Sequence, residues 1–296
     1  MTGARLSWEV TAAPAVELAE RPVWDARTGC VIWVDIAAGQ LHRLSPQGGD
    51  SVIATAGVPV GAAVPRARGG YLLATADGFR LTDAAGAMAG PPVRPPGMPA
   101  GVQFNDGACD PAGRFWAGTR ATDGQAGTGS LYRLDPDGSV TEIFGGVTES
   151  NGLGWSPDAT TFYYTDSGEP VSRVRAFDFD LASGQLAGER ELISFEPADG
   201  LADGLVVDAA GCLWIAMWDG GCVRRYSPAG ELLGLYPLPV SEPTCPGFGG
   251  PDLDELYLTT AWQELDEQGR AAEPLAGHLL RARPGVRGLP VSCYAG

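Results

Sequence analysis

The chain has 296 residues, with 20 basic and 36 acidic side chains and a formal net charge of -16. Proteins that track nucleic-acid phosphates need clustered Lys and Arg, so this balance argues against a nucleic-acid partner. The sequence has no signal-peptide core and no run of about 18 apolar residues. We therefore expect no membrane span and a soluble, cytoplasmic protein.

One short phrase recurs six times: a turn such as Asp-x-x-Gly or Ser-Pro-Asp, followed by an apolar, aromatic-rich strand. The copies begin at Asp25, Pro65, Asp110, Ser156, Asp208 and Gly250, so successive starts are 40, 45, 46, 52 and 42 residues apart. This is the period of a four-stranded propeller blade. No segment has a convincing helical period. We predict an all-β protein in which residues 1–296 form a single six-bladed β-propeller domain with a central metal site.

Insertions and chain ends modify this pattern. Residues 120–129 are a polar stretch near the predicted hub, and they are either a lid or substrate loop or a plain surface hairpin. Residues 262–275 are charged, and we expect them at the rim. The terminal segments 6–12 and 291–296 are candidates for closing the ring with strands from both chain ends.

The six cysteines contain no CxxC pair and fall in or beside predicted strands. This pattern favours free buried thiols over a disulfide framework or a cysteine zinc site.

The position five residues before each copy of the phrase is the most informative one. These positions hold Glu20, Val60, Asn105, Asn151, Asp203 and Cys245. Equivalent positions of equivalent blades converge on one axis, so the four oxygen-bearing side chains are predicted to meet there. For Asn105, Asn151 or Asp203 alone, the alternative is a turn former, because Asn and Asp before Gly are common in turns. Turn formation does not explain Glu20.

Two carboxylates and two amide oxygens suit one hard divalent cation. Ca²⁺ is our first expectation, with Mg²⁺ and Mn²⁺ as alternatives. Zn²⁺ stays open because carboxylates also bind it, and Cys245 is the one candidate sulfur ligand. Competing machinery is sparse: there is no G-x-S-x-G elbow and no Walker loop, and the two histidines lie in predicted outer strands.

The stretches LAERPVWDARTGCVIWVDI, FNDGACDPAGRFWAGT, SNGLGWSPDATTFYYTDS and CPGFGGPDLDELYLTTA resemble, in this order, the family of senescence marker protein (regucalcin), gluconolactonase and luciferin-regenerating enzyme. The resemblance is strongest to bacterial sugar lactonases. It implies a six-bladed propeller with one divalent metal at the hub, held by Glu20, Asn151 and Asp203. Asn105 falls where members of the family bind the metal, directly or through water, or touch the substrate, and Asp106 lies beside the same site.

The chain departs from the family pattern at two positions. It has Arg21 where many members have the second glycine of Gly-Glu-Gly-Pro, and Arg21 is either a surface residue or part of an ion pair near the hub. It has Gln103 where several members carry a substrate-binding Arg, and Arg120 is the candidate for the missing cation. The predicted substrate contacts are Gln103, Asn105, Arg120, Asp123 and Trp218, with blade packing as the alternative for Trp218.

These residues predict a metal-dependent hydrolase that opens a sugar lactone to its aldonic acid. The ion would polarise the lactone carbonyl, and Asp203, or as second choice Asp106, would assist the attack of water. A phosphotriesterase-like or other esterase activity at the same hub is an alternative, and a calcium-binding or ligand-binding propeller without turnover is another. The expected partner is a small sugar lactone, and the oligomeric state, monomer or weak dimer, stays open.

Overall fold

The computed structural model describes residues 6–46, 49–168 and 172–296. Strands dominate it, and its helices are a 3-10 turn at Pro197–Asp199 and α1 at Glu267–Ala272. Within these ranges no helix is long and apolar enough to cross a membrane. The strands are β1 (Glu9–Val10), β2 (Ala19–Asp25), β3 (Cys30–Asp35), β4 (Gln40–Ser45), β5 (Gly49–Thr55), β6 (Val60–Pro65), β7 (Tyr71–Thr75), β8 (Gly78–Thr82), β9 (Met88–Val93), β10 (Val102–Cys109), β11 (Phe115–Ala121), β12 (Gly129–Leu134), β13 (Val140–Val147), β14 (Glu149–Trp155), β15 (Thr161–Ser167), β16 (Ser172–Asp180), β17 (Gln185–Phe195), β18 (Leu201–Val207), β19 (Leu213–Trp218), β20 (Cys222–Tyr226), β21 (Leu232–Pro237), β22 (Pro243–Gly249), β23 (Glu255–Thr260) and β24 (Leu280–Ala282).

The strands pair into antiparallel sheets that follow the chain. Four sheets have four strands each: β2–β5, β6–β9, β18–β21, and β22–β24 together with β1. A sheet of eight strands contains β10–β13 and β14–β17, and these halves meet at the residue pair Arg120 and Glu149. The strands β2, β6, β10, β14, β18 and β22 contact one another in a closed cycle. The fold is therefore all-β, as predicted, and propeller-like.

The recurring turn buries a carboxylate behind the second strand of its sheet. Asp110 Oδ2 accepts hydrogen bonds from Trp116 Nε1 at 2.9 Å and from Arg114 Nε at 2.6 Å. Asp208 Oδ2 likewise accepts a bond from Trp214 Nε1 at 3.0 Å. A buried carboxylate is tolerated only when it is paired and hydrogen-bonded. The pairing explains why, in these copies, the turn Asp comes with an aromatic residue in the next strand.

The N-terminal segment closes the last sheet. β1 pairs with β24, with Glu9 opposite Arg281 and Val10 opposite Leu280. The prediction for residues 291–296 is wrong, because they do not join this sheet. Tyr294 instead forms an isolated parallel bridge with Arg66, and the Ala295 N–H donates to the Gly113 carbonyl at 3.0 Å.

Helix α1 lies inside the insertion 262–275, where no helix was predicted. Asp266 caps it by accepting a hydrogen bond from the Gly269 N–H at 2.8 Å. A helix of six residues is less than two turns long, so it is too short to show a hydrophobic period. All six cysteines are free and five are buried, as predicted.

Candidate active site

Each strand of the inner cycle has a β-bulge at or next to the position five residues before the recurring phrase. The register shifts occur at Glu20 in β2, Val60 in β6, Asn105 in β10, Asn151 in β14, Asp203 in β18 and Cys245 in β22. A bulge bends its strand and re-aims a side chain. The repeated bulge therefore gives the same local geometry to a different side chain in each sheet.

The turn-former alternative for these positions is wrong. Asn151-Gly152 lies inside β14 and Asp203-Gly204 lies inside β18. A Cβ at Gly152 would lie 2.2 Å from the Leu205 backbone nitrogen, and one at Gly204 would lie 2.4 Å from Cys245 Sγ. These glycines allow adjacent inner strands to approach closely, which is a different reason for Gly after Asn or Asp.

One pocket brings the four oxygen-bearing side chains together. Glu20, Asn105, Asn151 and Asp203 all line a cavity of about 120 Å³, and all four are buried. The pocket is also lined by Leu18, Ile36, Arg120, Glu149, Ser167, Leu201, Ala202, Trp218, Gln263 and Glu264. This volume lies below the range of about 300–1,000 Å³ that is typical of ligand sites.

The two amides hold each other in place. Asn105 Nδ2 donates to Asn151 Oδ1 at 3.1 Å and to the Ser150 carbonyl at 2.9 Å. Asn151 Nδ2 donates to Ser167 Oγ at 3.1 Å, and the Ser167 hydroxyl donates to the Ala202 carbonyl. These hydrogen bonds fix which atom of each amide is the oxygen, so both amide orientations are set before any ligand binds.

Among the described residues, no basic side chain forms an ion pair with Glu20 or Asp203, two of the four carboxylates in the pocket. Burial and the negative charge of Asp106 raise the pKa of Glu20 well above its ordinary value. Burial and the charge of Glu20 do the same to the pKa of Asp203. Glu20 Oε2 accepts the Arg21 N–H at 2.8 Å, whereas no hydrogen bond from a described residue reaches the Asp203 carboxylate. Two acids in this state would be stabilised by a shared cation.

Arg21 forms an ion pair in the interior, so the surface alternative is wrong. Its Nη1 lies 3.4 Å from Asp106 Oδ2 and 4.0 Å from Cys245 Sγ. Its φ is 48°, in the left-handed region that favours glycine. Asp106 also accepts the Gly107 N–H at 2.6 Å, burial raises its pKa, and it is not among the pocket-lining residues.

The predicted substrate contacts divide into two groups. Asn105, Arg120 and Trp218 line the pocket. Gln103 pairs with Arg120 across β10 and β11 but is not among the lining residues. Asp123 is exposed and accepts the Gln125 N–H in its own turn, so within residues 120–129 the pocket is reached by Arg120.

Four polar residues that line the pocket were not predicted from the sequence: Glu149, Ser167, Gln263 and Glu264. Glu149 lies 3.4 Å from Arg120 across the pair that joins β11 and β14, and burial raises its pKa. Gln263 and Glu264 belong to the insertion 262–275, so its predicted place at the rim is wrong for these two residues. No repeat signal marks them, because the insertion has no counterpart in the other sheets.

Glu242 lies beneath this insertion. Its Oε1 accepts the Glu264 N–H at 3.3 Å, and its Oε2 is enclosed without a partner among the described residues. Burial raises the pKa of Glu242 to about 7; the Glu264 N–H opposes the shift, and the carboxylates of Glu264, Asp219 and Glu273 add to it. Compared with an ordinary glutamate, Glu242 therefore keeps its proton to a higher pH in the folded protein.

The Glu242→Gln variant should gain stability relative to the wild type as pH rises. The folded-state pKa of about 7 exceeds the ordinary value of 4.5, so Glu242 contributes fully below pH 4.5 and its contribution is lost as pH rises through 7. Glutamine keeps the neutral shape. Urea unfolding should show little difference at pH 4.5 and an advantage of roughly 3 kcal/mol for the variant at pH 8. The exposed Glu231→Gln is the control, and an equal difference at both pH values would refute the assignment.

The donor set fits a hard divalent cation. Among the described residues no three His, Cys, Asp or Glu side chains come together as a metal-binding group. A cation in this pocket would therefore depend on the amide oxygens of Asn105 and Asn151 as well as on Glu20 and Asp203. Carboxylate and amide oxygens are the ligands that Ca²⁺ and Mg²⁺ prefer.

Residues 18–262 match the family described as the SMP-30/Gluconolactonase/LRE-like region. The chain belongs to this family. This SMP-30/gluconolactonase membership confirms the resemblance seen in the sequence. Regucalcin of Danio rerio is 36% identical over 95% of both chains. The 6-deoxy-6-sulfogluconolactonase of Pseudomonas putida is 37% identical and covers 97% of this chain and 98% of its own. A crystal structure of a calcium-binding protein, regucalcin, from Agrobacterium tumefaciens has a TM-score of 0.89 at 29% identity, covering 99% of this chain and 98% of that one.

Proposed function

We propose that this protein is a metal-dependent lactonase that opens a sugar lactone to its aldonic acid. The observation that carries the proposal is the convergence of Glu20, Asn105, Asn151 and Asp203 in one small buried pocket. A relative that is 37% identical over nearly the whole chain is named 6-deoxy-6-sulfogluconolactonase, which supports lactone hydrolysis as the reaction class.

The proposal includes six blades around the pocket. The eight-stranded sheet would be two blades, β10–β13 and β14–β17, which touch at Arg120 and Glu149. Each copy of the recurring phrase then belongs to one blade. The closed cycle of six inner strands supports this division.

A divalent ion, Ca²⁺ first, would be held by Glu20, Asn151 and Asp203, with Asn105 as the fourth oxygen donor. When bound, such an ion supplies a Lewis acid that polarises the lactone carbonyl. The solved relative described as a calcium-binding protein supports this choice of ion. Mg²⁺, Mn²⁺ and Zn²⁺ remain alternatives for the same donors.

Asp203 is the proposed general base. Its carboxylate takes a proton from water as the water oxygen bonds to the lactone carbonyl carbon. The ring C–O bond then breaks, and the ring oxygen takes up the proton held by Asp203 and leaves as a hydroxyl of the aldonic acid. Asp106 is the less favoured base, because its carboxylate is already held by Arg21 and by the Gly107 N–H.

A substrate panel tests the reaction class. Purified protein with Ca²⁺ is assayed with glucono-, xylono- and galactonolactone and with an aryl phosphotriester, and acid release is followed with a pH indicator. We expect turnover of at least one lactone at a kcat/KM well above that for the phosphotriester. Turnover of the phosphotriester alone, or of none of these compounds despite tight Ca²⁺ binding, would overturn the lactonase proposal.

Ser167→Ala should weaken metal binding by about 10-fold to 100-fold without unfolding the protein. The Ser167 hydroxyl links the Asn151 amide to the Ala202 carbonyl, so its loss frees the amide to rotate. The Kd for Ca²⁺ is measured by titration calorimetry. The exposed Ser139→Ala is the control, and an unchanged Kd in the Ser167 variant would show that this hydroxyl does not orient the ligand.

A further inference from the structure

The pocket carries an excess of negative charge that the proposed metal alone does not remove. Four carboxylates line it: Glu20, Asp203, Glu149 and Glu264. One divalent ion would offset the inner pair, Glu20 and Asp203. Arg120 is the single basic residue among the described residues that line the pocket.

The charge of Arg120 is already used within the protein. Its Nη1 lies 3.4 Å from Glu149 Oε1, and both side chains remain partly exposed. Glu264 has no ion-pair partner among the described residues, and it is exposed. A ligand that enters the pocket therefore meets a paired guanidinium and carboxylate and one carboxylate that is not compensated.

We propose that Glu149 and Glu264 make this pocket selective for uncharged polyhydroxy lactones and that they reject lactones carrying an anionic group. The inference rests on the proposed lactonase function and names its substrate class. A guanidinium beside a carboxylate presents a donor next to an acceptor, which matches neighbouring sugar hydroxyls. An anionic group would lie against a like charge, and this repulsion weakens its binding.

The overall charge of the protein acts in the same direction. With a formal net charge of -16, the protein repels anions already during encounter. This general effect is distinct from the local one, because any surface carboxylate contributes to it. The exposed Glu231, in the turn between β20 and β21, therefore provides a matched control for charge alone.

The test compares D-glucono-1,5-lactone with its 6-deoxy-6-sulfo analogue, which keeps one negative charge at every assay pH. The 6-O-methyl lactone is the neutral control for size. For the wild type we expect kcat/KM to be about 100-fold higher for the neutral lactones than for the sulfonated lactone. This selectivity ratio should fall in 0.5 M salt. Glu149→Gln should narrow the ratio by about 10-fold because it also frees Arg120, Glu264→Gln by about 5-fold, and Glu231→Gln hardly at all.

A binding measurement separates this inference from the catalytic proposal. Calorimetry with 1,5-anhydro-D-glucitol and its 6-sulfate, neither of which can be hydrolysed, should give the same order of variants, with far-UV circular dichroism confirming that each variant is folded. Equal kcat/KM for neutral and sulfonated lactones, or equal narrowing by Glu231→Gln, would overturn the charge selection and leave the lactonase standing. Discrimination in binding without hydrolysis of any lactone would overturn the lactonase and support the selection.

Discussion

Asp203→Asn is expected to lower kcat/KM for lactone hydrolysis by at least about 10³-fold. Asparagine keeps the size of the side chain but cannot accept a proton, and it contributes no charge to the proposed cation site. The wild-type carboxylate is buried and receives no hydrogen bond from a described residue. No such bond therefore offsets the free-energy cost of burying it. Initial rates with the best lactone of the panel measure the effect.

The same experiment needs a charge-matched control and a stability measurement. Asp137→Asn removes a carboxylate from an exposed hairpin turn, and it should leave the rate within about 3-fold. Asp203→Asn should not destabilise the metal-free protein, because it removes a carboxylate whose pKa is raised by burial and by repulsion from Glu20. A fully folded Asp203→Asn protein with wild-type rates would remove Asp203 from the mechanism.

Removal of divalent ions is expected to reduce lactone hydrolysis by more than about 100-fold and to lower thermal stability as well. Glu20 and Asp203 are then left without a cation between them. Ligand binding to the folded state alone stabilises by about 2.7 kcal/mol at 100 times the Kd, so the melting temperature should rise measurably when the ion is restored. Ca²⁺, Mg²⁺, Mn²⁺ and Zn²⁺ are added back one at a time after chelation and dialysis.

A double variant controls for non-specific ion effects on this acidic protein. Glu20→Gln with Asp203→Asn removes both pocket charges and should show no ion-dependent change in melting temperature at the same concentrations. Activity that survives thorough chelation, or an equal thermal shift in the double variant, would argue against a metal at this pocket.

The repeat led to equivalent positions of the inner strands because a repeat carries positional information. Stepping back by five from each phrase reached the bulged position of every inner strand, including Val60 and Cys245, which carry no oxygen ligand. Glu149 was missed, but it could have been found by applying a second fixed offset to the same repeat. Gln103 was singled out two residues before Asn105, and the same offset from Asn151 leads to Glu149.

Other features of the site could not be predicted from a repeat. Gln263 and Glu264 come from an insertion that occurs once, so no second copy shows where it folds. The ion pair of Arg21 with Asp106 joins two different inner strands, and neither its partner nor its left-handed backbone follows from local sequence. The position of Asp123, in contrast, follows from a local preference. Its carboxylate accepts the Gln125 N–H within its own turn.

Crystals of the wild-type protein grown with Mn²⁺ test the central claim most directly, because the anomalous signal locates the ion without assumptions about its ligands. We expect one strong peak per chain in the pocket, in contact with side-chain oxygens of Glu20, Asn151 and Asp203, and no peak there in the Glu20→Gln, Asp203→Asn double variant. A pocket without a peak at saturating Mn²⁺, or a peak bound by other residues, would contradict it.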